Sequence, residues 1–249
     1  MKLLHVPIFI WGLIFGSFLN VVIYRLPRNI SLFFPNSFCP HCNLPIPLYK
    51  NIPLISYILQ LAKCFNCKEK ISFRYPLIEF INGFLWYLNF QSFEFTSAIF
   101  NSIICSTILT IVFIDYDKYI IPLKLNIFSG IIISIGVYLN IFNLHDSSYG
   151  ILIGVGYLGF VFILTSIILK KQTMGYGDLI LIAILGAWLG PVKVLFIIFL
   201  AAILGIIYFI FNKFYLKINL DKLPFGTFLG ISSLIILFIK TSKLLFLIL

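Results

Sequence analysis

Eight apolar segments occur along this chain, and most are about as long as the stretch that crosses a lipid bilayer. A spanning helix needs about 20 predominantly apolar residues. Charged residues make up only 10% of the 249 residues, which leaves too little polar surface for a soluble domain of this length. The sequence therefore predicts an all-α polytopic membrane protein with about eight transmembrane helices, at 5–24, 76–92, 97–114, 124–142, 148–169, 178–190, 192–212 and 225–240.

Two of these segments allow more than one interpretation. The first segment follows Lys2 and resembles a secretory signal, but it extends to Tyr24, beyond the usual signal core of about 7–15 residues, and no A-x-A-like site follows it. We therefore predict that it is a membrane helix. The sixth and seventh segments meet at Gly190-Pro191, which permits either a tight turn or a kink, and we predict the turn.

The basic residues are unevenly distributed between the two sides of the membrane that these segments imply. With the N-terminus outside, four of the 18 lysines and arginines lie on the outer side, namely Lys2, Lys193, Lys240 and Lys243. An excess of Lys and Arg in cytoplasmic loops is the usual topology signal of membrane proteins. The net charge of +10 therefore indicates an orientation in the bilayer, and we do not expect nucleic acid as a partner.

A polar region near residues 25–75 separates the first two segments and holds four of the five cysteines. Cys39 and Cys42 form one C-x2-C pair, and Cys64 and Cys67 form a second pair after 21 intervening residues. Two such pairs can complete a tetrahedral four-sulfur shell around Zn²⁺. The charge distribution places this loop in the cytoplasm, where disulfides rarely persist. The sequence therefore predicts a cytoplasmic zinc-binding loop between helices 1 and 2.

A closed four-cysteine shell leaves no open coordination position, so the predicted zinc is structural and not catalytic. Two ordinary pairs of reduced thiols or a redox motif are the alternatives, and His41 is an alternative ligand within the first pair. Cys105 lies in the middle of a predicted helix and is expected to be a small buried apolar residue.

Two aspartates border the apolar segments of the second half of the chain. Asp115 directly follows the segment 97–114, and Asp178 closes the tetrapeptide GYGD at 175–178. An ionisable group beside hydrocarbon costs about 2.5–3.5 kcal/mol even on the mild insertion scale, so it is a candidate functional group. Two carboxylates that share one proton supply a base that activates water and an acid that protonates a leaving amine. The pair therefore favours peptide-bond hydrolysis without a catalytic metal.

The neighbours of these aspartates carry further expectations. Gly175 and Gly177 permit backbone conformations and close approaches that other residues exclude. Pro122 is expected to help end the helix that carries Asp115. As alternatives to catalysis, a carboxylate at a helix end is often solvated, and one at a helix N-terminus, as Asp178 is expected to be, is favoured by the helix dipole.

Two further acids lie near the predicted spans. Asp117 is predicted to be a solvated loop acid. Glu79 lies just inside the second span, where it either pairs with Arg74 or a loop lysine or lines a second site. Small-residue spacings that suit close helix packing occur at Gly12-x3-Gly16, Gly150-x3-Gly154 and Gly186-x3-Gly190.

Several segments resemble the type IV prepilin peptidases, which are membrane aspartyl proteases. GYGD at 175–178 matches the GxGD motif of such proteases, and the whole stretch 174–190 is similar to this family. A lone GxGD motif is weak, whereas ordered motifs from residue 16 to about 190 are specific. The other similar segments are GSFLNVVIYRLP (16–27), CPHC (39–42), NIPLISY (51–57), CFNC (64–67), RYPLIE (74–79) and FIDYDKYIIP (113–122).

The resemblance implies a bifunctional enzyme of the bacterial inner membrane. Such enzymes remove the basic leader from prepilins or pseudopilins at the cytoplasmic face, and then methylate the new N-terminal residue with S-adenosylmethionine. In the family pattern the first catalytic aspartate lies seven residues before the proline of an I/L-P pair, which selects Asp115 over Asp117, and the GxGD aspartate is Asp178. The resemblance also implies a methyltransferase-linked region at 1–92 and a peptidase domain at 93–249.

Three positions depart from the family pattern. Leu123 stands where the family commonly has Asp, and Ile180 stands where it commonly has Lys, so two charges near the aspartates are missing. Ala62 stands where the family often has Gly, two residues before Cys64. This departure lies in the region that the resemblance links to methylation, so it bears on methylation and not on cleavage.

Two other classes of function fit parts of the sequence. A proton- or cation-coupled transporter would use the same two acids, because intramembrane carboxylates also mark ion paths. Both acids lie on one side of the membrane, and none lies deeper, which argues against a transport path. A non-enzymatic scaffold whose zinc loop docks a partner would leave the GxGD turn unexplained.

Overall fold

The computed structural model describes residues 5–170, 174–217, 222–241 and 244, and these ranges are mainly helical. In the described part of the chain, β pairing is limited to two isolated bridges, so the all-α prediction is confirmed. The helices are α1 (His5–Arg25), α2 (Ile55–Leu59), α3 (Arg74–Ser92), α4 (Phe95–Lys118), α5 (Leu123–Tyr138), α6 (Leu144–Leu169), α7 (Tyr176–Ile210) and α8 (Phe225–Leu237).

The described helices differ in how well their lengths match a bilayer. By length and composition, four described stretches can cross it, over Val6–Arg28, Phe95–Lys118, Leu144–Leu169 and Tyr176–Tyr215, and the last of these is interrupted at Gly190. Helices α5 and α8 have 16 and 13 residues. At 1.5 Å per residue they are roughly 24 and 20 Å long, shorter than a hydrocarbon core of about 30 Å. The structure thus supports a multi-pass membrane protein, and the count of eight spans stays a prediction.

Helix α7 contains a reversal of the chain at Gly190. The carbonyl oxygen of Ile182 and Cγ2 of Val194 lie 3.4 and 2.9 Å from the position that a Cβ would take on Gly154. Twelve residues of straight helix would separate them by about 18 Å. Gly190 has a φ of +82°, a conformation that favours glycine. The two halves of α7 are therefore antiparallel, which agrees with the predicted turn.

The chain divides into two compact units, Met1–Ser106 and Thr107–Leu249, and the boundary between them falls within the sequence of α4. In the first unit α1 packs closely on α3. A Cβ on Gly12 would lie 2.7 Å from the Cα of Gly83, and a Cβ on Gly16 would lie 2.7 Å from the Cα of Glu79. Only glycine permits this approach, so the packing interpretation of the Gly12-x3-Gly16 spacing is confirmed.

In the second unit small residues bring several helices together. The backbones of Gly150 in α6 and Gly186 in α7 are in direct contact, so a Cβ on either would overlap the other's carbonyl group. Gly230 of α8 is packed against Val112 of α4. This contact lays α8 along α4 and brings the N-terminus of α8 beside the C-terminus of α4, which positions the candidate site.

Candidate active site

Asp115 lies in the last turn of α4, and only 4% of its surface is exposed. The backbone N–H of Thr227, at the start of α8, donates to Asp115 Oδ2 over 2.7 Å. The Thr227 hydroxyl lies 3.0 Å from the same oxygen and 3.2 Å from the carbonyl oxygen of Val112. One carboxylate oxygen is thus held in place by a residue 112 positions away in the chain.

Asp178 is the third residue of α7, and 8% of its surface is exposed. Its backbone N–H donates to the carbonyl oxygen of Gly175 over 3.1 Å. The first turn of a helix stabilises a negative charge, because the unpaired N–H groups give that end a partial positive charge. The carboxylate lies beside the loop residue before the helix, 3.5 Å from the position that a Cβ would take on Gly175.

Ile121 contacts both of the segments that surround the two aspartates. A Cβ on Gly177 would lie 3.1 Å from Ile121 Cβ. A Cβ on Gly226 would lie 2.5 Å from Ile121 Cδ1 and 3.1 Å from Asp115 Oδ2. Asp115 and Asp178 are also close enough for their charges to repel each other. The structure therefore brings the two predicted aspartates together at one end of the second unit.

Part of the expectation for the neighbouring residues is wrong. Gly175 has a φ of −78° and a ψ of 143°, which any residue adopts, so its backbone is not unusual. Gly177 does provide the predicted close approach, to Ile121. Helix α4 ends at Lys118 because Tyr119 takes a left-handed φ of 55°, three residues before Pro122. Pro122 instead forms the N-cap of α5.

Asp117, the neighbour that the family spacing rejected, is exposed as predicted. It lies in the last turn of α4 and not in a loop, because the helix continues four residues beyond the apolar segment. Asp115 is buried and Asp117 is exposed, so burial favours the same aspartate as the family spacing does.

The four paired cysteines form one cluster in the first unit. Their sulfur atoms all lie within 4.8 Å of one another, and Cys39 Sγ and Cys67 Sγ are 3.9 Å apart. Four sulfurs around Zn²⁺ at about 2.3 Å are separated by roughly 3.8 Å, so the cluster fits this metal. His41 is exposed and does not belong to the cluster. Cys105 is fully buried in α4, as expected.

Two turns of the same construction present the cysteine pairs. Asn43 N–H donates to the Cys39 carbonyl over 2.8 Å, and Lys68 N–H donates to the Cys64 carbonyl over 3.1 Å. Asn43 and Lys68 have left-handed φ values of 56° and 61°. Hydrogen bonding from the backbone N–H of Cys67 lowers the pKa of the Cys64 thiol to about 6. A backbone hydrogen bond at Glu69 lowers the pKa of the Cys67 thiol, but burial and the other three cysteines outweigh it and raise that pKa to about 11. Thiolate is the form of cysteine that ligates a metal.

A cavity of about 550 Å³ adjoins this cluster within the first unit. It is bounded by α1, by the cysteine loop and by the start of α3, and Glu79 is part of its wall. Glu79 is 8% exposed, and its Oε2 accepts a hydrogen bond from Leu54 N–H over 2.8 Å. The hydroxyl of Ser17 is its second recorded partner. Glu79 therefore lines a cavity, and its role in a second site stays a prediction.

Comparison with known proteins gives two consecutive matches along the chain. Residues 10–93 match the family described as Bacterial Peptidase A24 N-terminal domain, and residues 102–210 match the Type IV leader peptidase family. A prepilin leader peptidase/N-methyltransferase of Neisseria gonorrhoeae is 33% identical over 79% of this chain and 78% of its own length. The chain belongs to the type IV leader peptidase family.

Two other members of the leader peptidase family show how much of the chain is shared. A prepilin leader peptidase/N-methyltransferase of Legionella pneumophila is 33% identical over 94% of this chain and 91% of its own length. An Escherichia coli protein is described as "Type 4 prepilin-like proteins leader peptide-processing enzyme". It is 31% identical over 92% of this chain and 91% of its own length. No solved structure matches the chain.

The three residues that depart from the family pattern are either exposed or in an unusual backbone conformation in this leader peptidase. Leu123 and Ile180 are both exposed, at 55% and 40%, near the N-termini of α5 and α7. Ala62 has a left-handed φ of 57°, which explains why glycine suits this position. An L-residue in that conformation costs roughly 1–2 kcal/mol.

Sequence reasoning missed Thr227 and Gly226 of the leader peptidase site. Both lie in the segment Leu223-Pro224-Phe225-Gly226-Thr227, directly before an apolar run. In the sequence these residues appear only as a Gly-Thr pair shortly after a proline, at the start of an apolar run. This pattern is too common to predict that Thr227 contacts Asp115.

Proposed function

We propose that this chain is a prepilin peptidase and N-methyltransferase. It removes the leader from type IV prepilins or pseudopilins and methylates the new N-terminal residue. The observation that carries this proposal is the juxtaposition of Asp115 and Asp178, both buried, at one end of the second unit. The family and the names of its curated members supply the substrate class.

The proposed peptidase chemistry uses water as the nucleophile. One aspartate takes a proton from the water as it attacks the scissile carbonyl, and the other gives a proton to the leaving amine. Thr227 holds Asp115 by two contacts to the same oxygen, which keeps that carboxylate fixed during the reaction. The second oxygen of Asp115 is left for the water or the substrate.

The other assignments in this proposal follow the family. Zn²⁺ would be held by Cys39, Cys42, Cys64 and Cys67, where it would stabilise the loop, and S-adenosylmethionine would supply the methyl group. The membrane would be the bacterial inner membrane, with the aspartates towards the cytoplasm. Residues 1–92 would serve methylation and residues 93–249 would serve cleavage. Membership of a peptidase family disfavours the transporter alternative.

The test is a reaction of the purified protein with a full-length prepilin in detergent micelles, followed by mass spectrometry. We expect leader removal with or without S-adenosylmethionine, and the added mass of one methyl group only when the cosubstrate is present. An intact prepilin after prolonged incubation would contradict the peptidase proposal. A cleaved but never methylated product would contradict the methyltransferase part alone.

A further inference from the structure

We infer that Glu79 binds the free α-amino group of the cleaved pilin, so that the cavity of the first unit receives the methyl acceptor at this carboxylate. The inference rests on the proposed function for the identity of that substrate. It assigns a role to a buried acid that the peptidase chemistry does not use.

Glu79 lies in the wall of the cavity where α1 and α3 pack on each other. Glu79 lies in the second turn of α3, where its Cα packs against Gly16 of α1. The cysteine loop and the residues Asn51 and Ile52 form other parts of the wall. Gly16 lies nine residues, or about 14 Å, before the end of α1 at Arg25, so the carboxylate lies beside the apolar part of that helix. A peptide product that stays anchored in the bilayer brings its amine to the carboxylate from that side.

The recorded partners of Glu79 favour a cationic ligand. Both are neutral donors, the N–H of Leu54 and the hydroxyl of Ser17. Arg25 in the same wall directs its guanidinium to the carbonyl oxygens of Ser31 and Asn36 at 3.0 and 3.2 Å. A buried carboxylate with neutral donors is stabilised further by a cation, because burial removes the water that would otherwise balance its charge.

The loop residue that donates to Glu79 has a strained backbone. Leu54 has a φ of 59° and a ψ of −48°, and the N–H of Ile55 donates to the carbonyl oxygen of Pro53 over 2.6 Å. This is a classic γ-turn, which is rare and strained and recurs at functional sites. The turn directs the N–H of Leu54 at the carboxylate. Such strain is consistent with a site whose geometry serves a ligand.

The chemistry of methyl transfer explains why a carboxylate is needed there. An α-ammonium group must lose one proton before its nitrogen can attack, and Glu79 or cavity water accepts it. The nitrogen lone pair then forms a bond to the methyl carbon, the carbon–sulfur bond breaks, and its electron pair stays on sulfur as S-adenosylhomocysteine. The product is a secondary ammonium, so one proton is released for each methyl group transferred.

The direct test measures binding of two synthetic peptides with the N-terminal sequence of a mature pilin to the intact protein in micelles. One peptide has a free amine and the other is N-acetylated, and no S-adenosylmethionine is present. We expect the free amine to bind about 10- to 100-fold more tightly, the range of a hydrogen bond to a charged group. Equal affinities for the two peptides would overturn the inference without any variant.

Two glutamate variants localise the effect. Glu79→Gln keeps an oxygen that can accept from Leu54 N–H but removes the charge, so we expect it to lose the preference for the free amine. Glu69, which is exposed on the cysteine loop and also borders the cavity, supplies the matched control Glu69→Gln, for which the preference is retained. A preference that survives Glu79→Gln would overturn the inference. Bound zinc checks that each variant is folded.

A kinetic measurement separates this inference from the proposed function. With S-adenosylmethionine present, Glu79→Gln should raise the KM for the mature pilin and leave the KM for S-adenosylmethionine unchanged. A rise confined to the KM for S-adenosylmethionine would overturn the inference. Selective amine binding without methyl transfer by the wild-type protein would instead overturn the proposed methylation and leave the amine site in place.

Discussion

The backbone amide of Thr227 donates to Asp115 Oδ2 over 2.7 Å, and the hydroxyl of the same threonine lies 3.0 Å from that oxygen. The two residues belong to α8 and α4, so the contact fixes the carboxylate by tertiary structure. Because Oδ2 accepts from Thr227, we expect the other oxygen, Oδ1, to exchange protons with water. The relationship assigns Thr227 a positioning role that can be tested separately from catalysis.

Replacement of the Thr227 hydroxyl should slow cleavage without abolishing it. We expect Thr227→Val to lower the cleavage rate about tenfold, the cost of losing a hydrogen bond to a charged group, while Thr227→Ser stays near wild type. Initial rates of leader removal measure the effect. Thr165→Val, in α6, is the control, because that hydroxyl bonds the Val161 carbonyl of its own helix. Equal rates for the Val and Ser variants would argue against the positioning role.

The contact between Gly150 and Gly186 should control the stability of the second unit. Gly150→Ala would place a methyl group against the Gly186 carbonyl, which should lower the free energy of unfolding by about 1–3 kcal/mol. Gly156 lies in the same helix with open space around it. Gly156→Ala should therefore be neutral or stabilise by up to about 1 kcal/mol through helix propensity. Thermal unfolding in micelles compares the two, and similar melting temperatures would contradict the packing account.

The cysteine cluster should hold one metal ion that requires all four sulfurs. We expect purified protein to contain about one zinc per chain, and Cys67→Ser to lose it because three thiolates leave the shell incomplete. Cys105→Ser is the control and should keep its metal, since Cys105 is buried in α4 away from the cluster. Elemental analysis gives the ratio. Zinc that persists in Cys67→Ser would show that the site is not the four-sulfur cluster.

The strained residue Ala62 predicts a stabilising substitution. Glycine adopts a left-handed φ without the cost that alanine incurs, so Ala62→Gly should stabilise the cysteine loop by about 1 kcal/mol. Ala202→Gly, at an exposed alanine within helix α7, should instead lower the free energy of unfolding, which thermal unfolding in micelles measures. Resistance of the loop to limited proteolysis and to loss of zinc under chelation reports the effect. A less resistant Ala62→Gly protein would contradict the backbone argument.

Hydropathy was sufficient to place the long helices, because a bilayer demands long apolar segments and their order is visible in the sequence. The five-residue helix α2, within the cysteine loop, was not predicted. It did not give their ends. Helix α4 continues to Lys118 although polar residues begin at Asp115, and α5 ends at Tyr138, just before Asn140 takes a left-handed φ of 56°. These ends depend on backbone conformation, which an apolar count does not describe.

The aspartates and cysteines of the site were predictable because short motifs specify them. The residues that support them were not, since Thr227 reaches Asp115 across 112 positions. The strained turn at Leu54 and its bond to Glu79 likewise depend on contacts between distant segments. Gly175 was overinterpreted, because a glycine in a motif does not by itself imply an unusual φ.

The central claim is that Asp115 and Asp178 act together in cleavage, and three matched substitutions test it most directly. Each aspartate is replaced by asparagine, which keeps size and polarity but removes proton exchange, and Asp117→Asn is the control on the exposed side of the same helix turn. Leader removal from a full-length prepilin is followed by mass spectrometry, with zinc content as the check on folding.

We predict that Asp115→Asn and Asp178→Asn each lose activity on the order of 100- to 10,000-fold, the usual contribution of a catalytic acid or base. Asp117→Asn should cleave at nearly the wild-type rate. Undiminished leader removal by a folded Asp115→Asn or Asp178→Asn protein would contradict the account.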